Sequence, residues 1–294
     1  MAVIDYREVL KGLVVQEAMR RQVISLPQEA PLEQAVRFAV KYKVNAILIV
    51  AENRQGLGVV AKTDLMGAYY AGLPLDTPCG AVMTGPPLFC RPQDTLDSAL
   101  EAMRTRMVHR LYVRDNRAPE VTGVLAYPDI VGLLYRYCNK CERSLRARTG
   151  AAKALPDQLL VREVMTSGVH ACGEEESLWQ VMEGLAAHRF GAALIKNGAG
   201  RPAGVVSKTD LVLAYKHCLP PETGARRIMS APVTACDGGA PVVDALKTMI
   251  FTDVHRVFVY RDAPENLVGV LSLSDVARFR SGTCRACLAS RIIS

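Results

Sequence analysis

The chain repeats itself at a fixed offset, and this repeat limits the folds that are open to it. The segment "VQEAM" ending at Met19 is matched by "VREVM" ending at Met165 (165 − 19 = 146). At the same offset, "GVVAKTDL" from Gly58 is matched by "GVVSKTDL" from Gly204, and "VHR" at 108–110 returns at 254–256. No gap is needed between these matches, so the two halves are expected to be copies of one architecture.

Each half also contains a second, looser repeat. "GVVAKTDL" is echoed by "GVLAYPDI" from Gly123, and "GVVSKTDL" is echoed by "GVLSLSDV" from Gly269 (129 − 64 = 65). We therefore expect four units, at residues 1–75, 76–142, 158–221 and 222–294, joined in the middle by a polar and basic linker at 143–157.

The pattern within one unit predicts its order of elements. In unit two, "PLFC" is typical of a short strand, and "TLDSALEAMRTR" has apolar residues at helical spacing with Thr95 placed to cap the helix. "RLYVRD" and "VTGVLA" alternate as strands, and "DIVGLLYRYCNKC" returns to helix. The predicted fold is α+β, with each unit in the order β-α-β-β-α. Because helices on one face leave the other face of such a small sheet bare, the units should pair.

Composition narrows the classes of partner. The chain is 50% hydrophobic with a formal net charge of +7, and no apolar run reaches the roughly 18 to 20 residues of a membrane helix. Its beginning lacks the layout of an export signal, and nine cysteines, an odd number, indicate free thiols, so we expect a cytoplasmic protein. The positive charge favours acidic partners such as phosphorylated small molecules. The linker lacks interleaved aromatic residues, which favours a solvated connector over nucleic-acid binding.

The repeated motifs resemble those of cystathionine β-synthase (CBS) domains. The resemblance is carried by the Met-Thr that opens units two and three, by the "HRLYV" strand, and by the Gly-hydrophobic-hydrophobic-x-x-x-Asp that closes each unit. In that family, two tandem domains form a Bateman module, and two modules commonly form a flat disc. The resemblance implies a stand-alone regulatory protein, not an enzyme, that signals to an unidentified partner. It leaves both a monomer and a homodimer open.

The resemblance also implies a ligand, either an adenine nucleotide (AMP, ADP or ATP) or S-adenosylmethionine, in the clefts between paired domains. An Asp six residues after the glycine then meets the ribose, and a hydroxyl three residues after it meets the phosphate. The aspartates are Asp64, Asp129, Asp210 and Asp275. The hydroxyl is present as Ser207 and Ser272 but is replaced by Ala61 and Ala126, so we expect tighter binding in the second half. The alternative for each aspartate is an N-cap of the last helix.

A His-Arg pair is the second candidate for phosphate binding. It occurs as His109 with Arg110 and as His255 with Arg256, and it resembles the pair with which the γ subunit of AMP-activated kinase contacts phosphates. Lys208, in "SKTD", resembles a lysine of the same subunit. The alternative is a solvated strand edge with the arginine paired to an acid. Units one and three lack the pair, so we expect the cationic phosphate contacts to come from units two and four.

Two Cys-x-x-Cys pairs are carried by the repeat. They are Cys138 with Cys141 and Cys284 with Cys287, and each is predicted at the end of the last helix of a half, where positions i and i+3 share a face. Two thiolates make half of a tetrahedral zinc shell or half of the ligands of a common iron–sulfur cluster, and the four together would complete one site. A redox dithiol and inert thiols are the alternatives. A metal- or cluster-binding redox sensor is therefore the second functional hypothesis. Cys79, Cys90, Cys172, Cys218 and Cys236 stand singly and are expected to be core or surface residues.

Overall fold

The structure is a computed structural model that describes residues 12–115, 120–133, 135 and 159–279. Within these ranges it contains four small β-sheets, one for each repeated unit, with helices packed against them. The predicted α+β class and the predicted order of elements in each unit are confirmed in the described part of the chain.

Unit one shows which helices and strands the repeated sequence pattern forms. Its elements are α1 (Val15–Ala18), β1 (Ser25–Pro27), α2 (Leu32–Lys41), β2 (Ala46–Val50), β3 (Gly56–Ala61) and α3 (Lys62–Tyr70). The apolar residues of α2 recur at helical spacing, so Leu32, Ala35 and Val36 share one buried face. β1 runs parallel to β2, and β2 runs antiparallel to β3, so the three strands form one sheet.

Unit two repeats this order. Its elements are β4 (Phe89–Cys90), α4 (Leu96–Thr105), β5 (Arg110–Arg114), β6 (Val121–Ala126) and α5, described over residues 127–133. The predicted cap of α4 is confirmed, because the Thr95 Oγ1 accepts a hydrogen bond of 3.1 Å from the Ser98 N–H.

Units three and four repeat units one and two. The elements are α6 (Val161–Val164), β7 (Thr166–Ser167), β8 (Ala171–Gly173), α7 (Leu178–Ala187), β9 (Ala192–Lys196), β10 (Pro202–Ser207), α8 (Lys208–Lys216), β11 (Ala235–Asp237), α9 (Val242–Phe251), β12 (Arg256–Arg261), β13 (Ala263–Ser272) and α10 (Leu273–Phe279). β7, at the start of unit three, pairs with β13 of unit four. The opening segment of one unit thus joins the sheet of its neighbour.

The packing of each opening segment against the neighbouring unit also explains why the motif glycine is repeated. In each unit, a Cβ on the motif glycine would lie 2.7 or 2.8 Å from the sulfur of a methionine that opens the neighbouring unit. The four contacts are Gly58 with Met83, Gly123 with Met19, Gly204 with Met229 and Gly269 with Met165. The same Cβ would also lie 2.7 to 3.1 Å from the backbone carbonyl oxygen of the residue after the methionine, so a side chain here would force both the methionine and the backbone to move, and glycine is the residue that fits.

The two main hydrophobic clusters each contain residues from both halves of the chain. One hydrophobic cluster joins unit one to unit three, with Leu65 and Leu211 among its buried residues. A second cluster joins unit two to unit four and includes Ile130 and Val276. A smaller cluster, around Leu48 and Tyr112, lies between the sheets of units one and two. The expected pairing of neighbouring units is observed in this smaller cluster and in the pairing of β7 with β13, and contacts between the two halves include the packing of α2 and α3 against α8.

The helices of the described residues are too short or too polar to be candidates for a membrane span.

Candidate functional site

The four motif aspartates lie at equivalent places, in the first turn of the last helix of their units. In each, the carboxylate Oδ2 accepts a hydrogen bond of 2.7 to 2.9 Å from the backbone N–H three residues earlier. The donors are Ala61, Ala126, Ser207 and Ser272. These aspartates do help to cap their helices, as the alternative interpretation expected, but each does so from the third helical position, where it closes the capping box, and not from the N-cap position itself.

The serines are the residues that cap these helices. The Ser207 hydroxyl donates to Asp210 Oδ2 at 2.7 Å and accepts from the Thr209 and Asp210 N–H groups at 3.2 and 3.4 Å. The Ser272 hydroxyl likewise donates to Asp275 Oδ2, at 2.6 Å. Both serines therefore hold the aspartates in place. Units one and two have alanine at the cap and keep only the backbone hydrogen bond.

In units one, two and three, the second oxygen of the aspartate faces a residue from the opening segment of the neighbouring unit. Thr84 Oγ1 lies 3.4 Å from Asp64 Oδ1, and Ser230 Oγ lies 3.4 Å from Asp210 Oδ1. We name each cleft by its aspartate and by the residue at the equivalent place in the opening segment: cleft one is Asp64 with Thr84, cleft two is Asp129 with Arg20, cleft three is Asp210 with Ser230, and cleft four is Asp275 with Thr166, which pairs through its backbone with Val270. In cleft two the facing group is cationic, and the Arg20 Nε lies 2.7 Å from Asp129 Oδ1.

Six basic side chains meet where the two halves face each other, and we call them the central cationic cluster: Lys62, His109, Arg110, Lys208, His255 and Arg256. The lysines cross reciprocally between the halves, since Lys62 Nζ donates to Thr209 Oγ1 and Lys208 Nζ donates to Thr63 Oγ1, both at 2.9 Å. The Arg110 guanidinium donates to the carbonyl oxygen of Ala46 at 3.2 Å. Contacts of this kind orient the basic groups without neutralising them.

The cluster holds its charge at an energetic cost. Burial lowers the pKa of Lys62 to about 8, and repulsion from Arg110 and Arg256 adds to this effect, while Asp210 opposes it. Burial also lowers the pKa of Lys208, with repulsion from Arg256 as the second cause. Burial and mutual repulsion destabilise the charged forms of these lysines. An anion placed among them would stabilise the charged forms and would itself be bound favourably.

The two histidines are part of the same electrostatic unit. Burial lowers the pKa of His255, and Lys62, Arg256 and Arg110 lower it further. For His109 the causes are burial, then Arg278, then Arg110, Lys208 and Arg256. The His255 ring nitrogen Nδ1 lies 3.3 Å from the Asn45 side-chain amide. The His-Arg pairs are not the solvated strand edges of the alternative interpretation, because burial is the largest cause of each lowered pKa, but acids do lie near them: Asp129 raises the pKa of Arg110 and Asp275 raises that of Arg256.

The structure brings together most of the predicted site residues. Those of the two His-Arg pairs and Lys208 lie in the central cationic cluster, with Asp64 near Lys208 and Asp275 near Arg256. The expectation that the cationic phosphate contacts come from units two and four alone stays a prediction, and Lys62 and Lys208 of units one and three lie in the same cluster. Lys62 was not predicted, although it stands at the position of Lys208 in the first half and the repeat could have identified it.

The predicted metal ligands Cys138, Cys141, Cys284 and Cys287 lie outside the described residues, as does the linker 143–157. The shared zinc or iron–sulfur site therefore stays a prediction. In the part of the chain that the structure describes, no three His, Cys, Asp or Glu side chains are grouped as a metal ion requires.

The other cysteines behave as predicted. Cys79, Cys90 and Cys172 are free and buried, Cys236 is half-buried and Cys218 is exposed. Burial raises the pKa of the Cys79 thiol to about 11 and that of the Cys90 thiol to about 12, so both stay protonated at neutral pH. These thiols are therefore core residues rather than reactive groups.

Comparison with known proteins gives matches for the whole repeat. The family model for the CBS domain matches residues 15–71, 79–136, 161–217 and 225–282. Inosine-5'-monophosphate dehydrogenase of Aquifex aeolicus is 27% identical over 141 residues, which are 47% of this chain and 28% of that protein. The curated relatives that match are 20% to 27% identical to this chain over the matched residues. The matched residues cover only 28% to 60% of the relatives' own lengths.

Two solved structures share the fold over most of the chain. Protein MJ1225 of Methanocaldococcus jannaschii has a TM-score of 0.75 at 14% identity, with 91% of this chain and 99% of that chain covered. An uncharacterized conserved protein of Pyrococcus horikoshii has a TM-score of 0.59 at 16% identity, with 91% and 100% covered. Four family matches in register with the repeat, on a fold shared with these structures, lead to one conclusion: the chain belongs to the CBS domain family, with four CBS domains in two Bateman modules.

Proposed function

We propose that the chain is a regulatory protein that binds an adenine nucleotide, or another adenosyl ligand with an anionic group. The ligand lies in the clefts with its anionic group directed at the central cationic cluster. The observation that carries this proposal is the convergence of Lys62, Lys208 and the two His-Arg pairs where the two halves meet.

The electrostatics of the cluster support an anionic ligand. Burial is the largest cause of the lowered pKa of all six groups, and basic neighbours lower the pKa of both lysines and both histidines further. A phosphate would supply the missing negative charge. Arginine offers a forked set of donors that match phosphate oxygens, and lysine offers a mobile point charge.

The aspartates support recognition of a ribose. In clefts one and three, Oδ2 is used by the helix cap, while Oδ1 has only a hydroxyl at 3.4 Å. Lone pairs of that second oxygen are therefore available to accept hydrogen bonds from the two ribose hydroxyls. A nucleoside with a 5′-phosphate would join such an aspartate to the central cluster.

The regulatory role rests on the family and on the way the halves are joined. Cleft residues of one half, such as Thr63 and Asp64, contact or approach Lys208 of the other half. A ligand that binds Lys208 would compete for that contact and could change how the halves pack. We propose that a partner protein, still to be identified, responds to this change.

The test begins with the ligand that the protein carries from the cell. Mass spectrometry of freshly purified and then denatured protein should identify an adenosyl compound. AMP, ADP, ATP and S-adenosylmethionine should then be tested separately by thermal unfolding, and a ligand present at about 100 times its Kd should stabilise the fold by about 2.7 kcal/mol. An absence of both a co-purified adenosyl compound and any thermal shift with all four ligands would contradict the proposal.

A matched pair of variants separates the cluster from general surface charge. Arg256→Gln removes one basic group from the cluster, whereas Arg54→Gln removes an exposed arginine that is ion-paired with Glu120. Both lower the net charge equally. The thermal shift caused by a nucleotide should fall in the first variant and stay unchanged in the second.

A further inference from the structure

Four residues occupy equivalent places at the openings of the clefts. Arg20, Thr84 and Ser230 each make two backbone hydrogen bonds with the motif strand, to Val124, Val59 and Val205 respectively, at 2.7 to 2.9 Å. Thr166 pairs with Val270 in the same way. In every unit the paired valine lies five residues before the motif aspartate. The backbones of the four clefts are therefore alike, and the side chain at this position is what distinguishes them.

That side chain is a small alcohol in three clefts and an arginine in cleft two. Thr84 and Ser230 reach their aspartates only at 3.4 Å, which leaves the second carboxylate oxygen largely available. Arg20 instead makes an ion pair with Asp129, with its Nε 2.7 Å from Oδ1. Because Oδ2 of Asp129 accepts from the Ala126 N–H at 2.9 Å, both oxygens of this carboxylate are engaged.

The ion pair is also well shielded. The Asp129 side chain is 9% exposed, against 47% for Arg20, so the guanidinium covers the carboxylate from the solvent side. Arg20 lies close enough to Arg110 to lower the pKa of Arg110. Burial raises the pKa of Asp129, and both arginines oppose this effect. Breaking the ion pair would leave the buried Asp129 carboxylate without its guanidinium partner. It would also leave Arg20 and Arg110 to repel each other with less compensation from Asp129. A neutral ribose hydroxyl is a weaker partner for this carboxylate than a guanidinium.

We infer that Arg20 closes cleft two to the ribose, so that this cleft does not bind the nucleoside that the other clefts accept. The inference rests on the proposed function, since it assigns the roles of individual clefts in the same site. It also gives Arg20 the role of a specificity-determining residue, because its guanidinium binds the Asp129 carboxylate that a ribose would otherwise contact.

The repeat supplies a reciprocal test. Arg20→Thr gives cleft two the residue of cleft four, and Thr166→Arg gives cleft four the residue of cleft two. AMP is the probe, and native mass spectrometry at saturating AMP counts the molecules bound to each chain. We expect Arg20→Thr to bind one AMP more than the unsubstituted chain, and Thr166→Arg to bind one fewer. Arg54→Thr, which removes an exposed and ion-paired arginine elsewhere, should leave the count unchanged.

The possible outcomes separate this inference from the proposed function. If the unsubstituted chain binds AMP and Arg20→Thr binds the same number or fewer, the closure by Arg20 is wrong while nucleotide binding stands. A lower number would make Arg20 a phosphate contact instead. An unchanged count in Thr166→Arg, with its unfolding temperature preserved, would also overturn the inference. If no adenosyl ligand binds the unsubstituted chain, the proposed function itself fails.

Discussion

Tyr69 and Tyr215 stand at equivalent positions of the two halves and stack on each other, with their ring centroids 5.3 Å apart. Each phenol donates a hydrogen bond of 2.7 Å into the other half, Tyr69 to the carbonyl of Leu219 and Tyr215 to the carbonyl of Leu73. This reciprocity is what a two-fold axis between the halves requires. The pair therefore marks the pseudo-symmetry axis that also relates Lys62 to Lys208.

The first prediction concerns this pair. Tyr69→Phe and Tyr215→Phe each delete one hydrogen bond to a carbonyl of the other half, so each should lower the free energy of unfolding by about 0.5 to 1.5 kcal/mol. Denaturant unfolding measures this quantity. Tyr70→Phe is the control, because the Tyr70 hydroxyl donates to Glu183 at the exposed surface and its loss should cost less. A clear loss in only one of the two buried variants would contradict the symmetric interface.

The second prediction concerns the close contact between the motif glycine and the opening methionine. Gly204→Ala should destabilise the fold by about 1 to 3 kcal/mol, because the new Cβ would lie 2.8 Å from Met229 Sδ and 3.0 Å from the Ser230 carbonyl oxygen. Gly67→Ala is the matched control within helix α3, where a Cβ would meet no atom within 4 Å. The control should stabilise the fold by about 0.5 to 1 kcal/mol, since alanine is the better helix former. Equal effects of both substitutions on thermal unfolding would show that the glycine contact is not required.

The third prediction is a pH dependence that Lys62 imposes on nucleotide binding. Its pKa is lowered to about 8 in the free protein, and a bound phosphate should raise it. Below the free pKa the ammonium is charged in both states and contributes no dependence. Above it, binding must take up a proton, so the affinity for AMP should fall as the pH rises from about 8 towards about 10.

Calorimetry across this range measures the effect, with Lys62→Arg as the control. Arginine stays charged throughout, so the decline in affinity assigned to Lys62 should disappear in this variant. A decline of the same size in both proteins would assign the titration to another group.

The fourth prediction compares the two halves. Asp210→Ala with Asp275→Ala should lower the affinity for AMP more than Asp64→Ala with Asp129→Ala does. The second half keeps Ser207 and Ser272, and Asp129 is engaged by Arg20. Losing a charge-assisted contact costs about 1.5 to 3 kcal/mol, which is roughly ten-fold or more in Kd. Equal losses in the two double variants would contradict the asymmetry.

The sequence was sufficient for the fold because the repeat and the local patterns agree. The offset carries the glycine motif and the methionine motif together, and the structure shows that these two motifs touch, as with Gly58 and Met83. Thr95 is a cap by type and by position, and it is one in the structure. Such features depend on neighbours in sequence or on repeated contacts, which a single sequence records.

The candidate site was only partly predictable, since it depends on contacts between distant residues. The sequence does not say that Lys62 crosses to Thr209, and it left an N-cap open as the alternative for each aspartate because Asp is common both at the cap and in the first turn. Arg20 gave one signal that could have been used: it stands where the other units have threonine or serine. Its contact with Asp129 depends on the packing of the opening segment against the neighbouring unit, which the local sequence does not record.

The central claim is that a phosphate of the ligand binds the central cationic cluster, and a calorimetric comparison of AMP with adenosine tests it most directly. The two compounds share a base and a ribose and differ only in the phosphate. We predict that AMP binds at least about ten-fold more tightly than adenosine and that Arg256→Gln narrows this gap by weakening AMP alone. Equal affinities of AMP and adenosine for the unsubstituted chain, or an unchanged gap in Arg256→Gln, would contradict the claim.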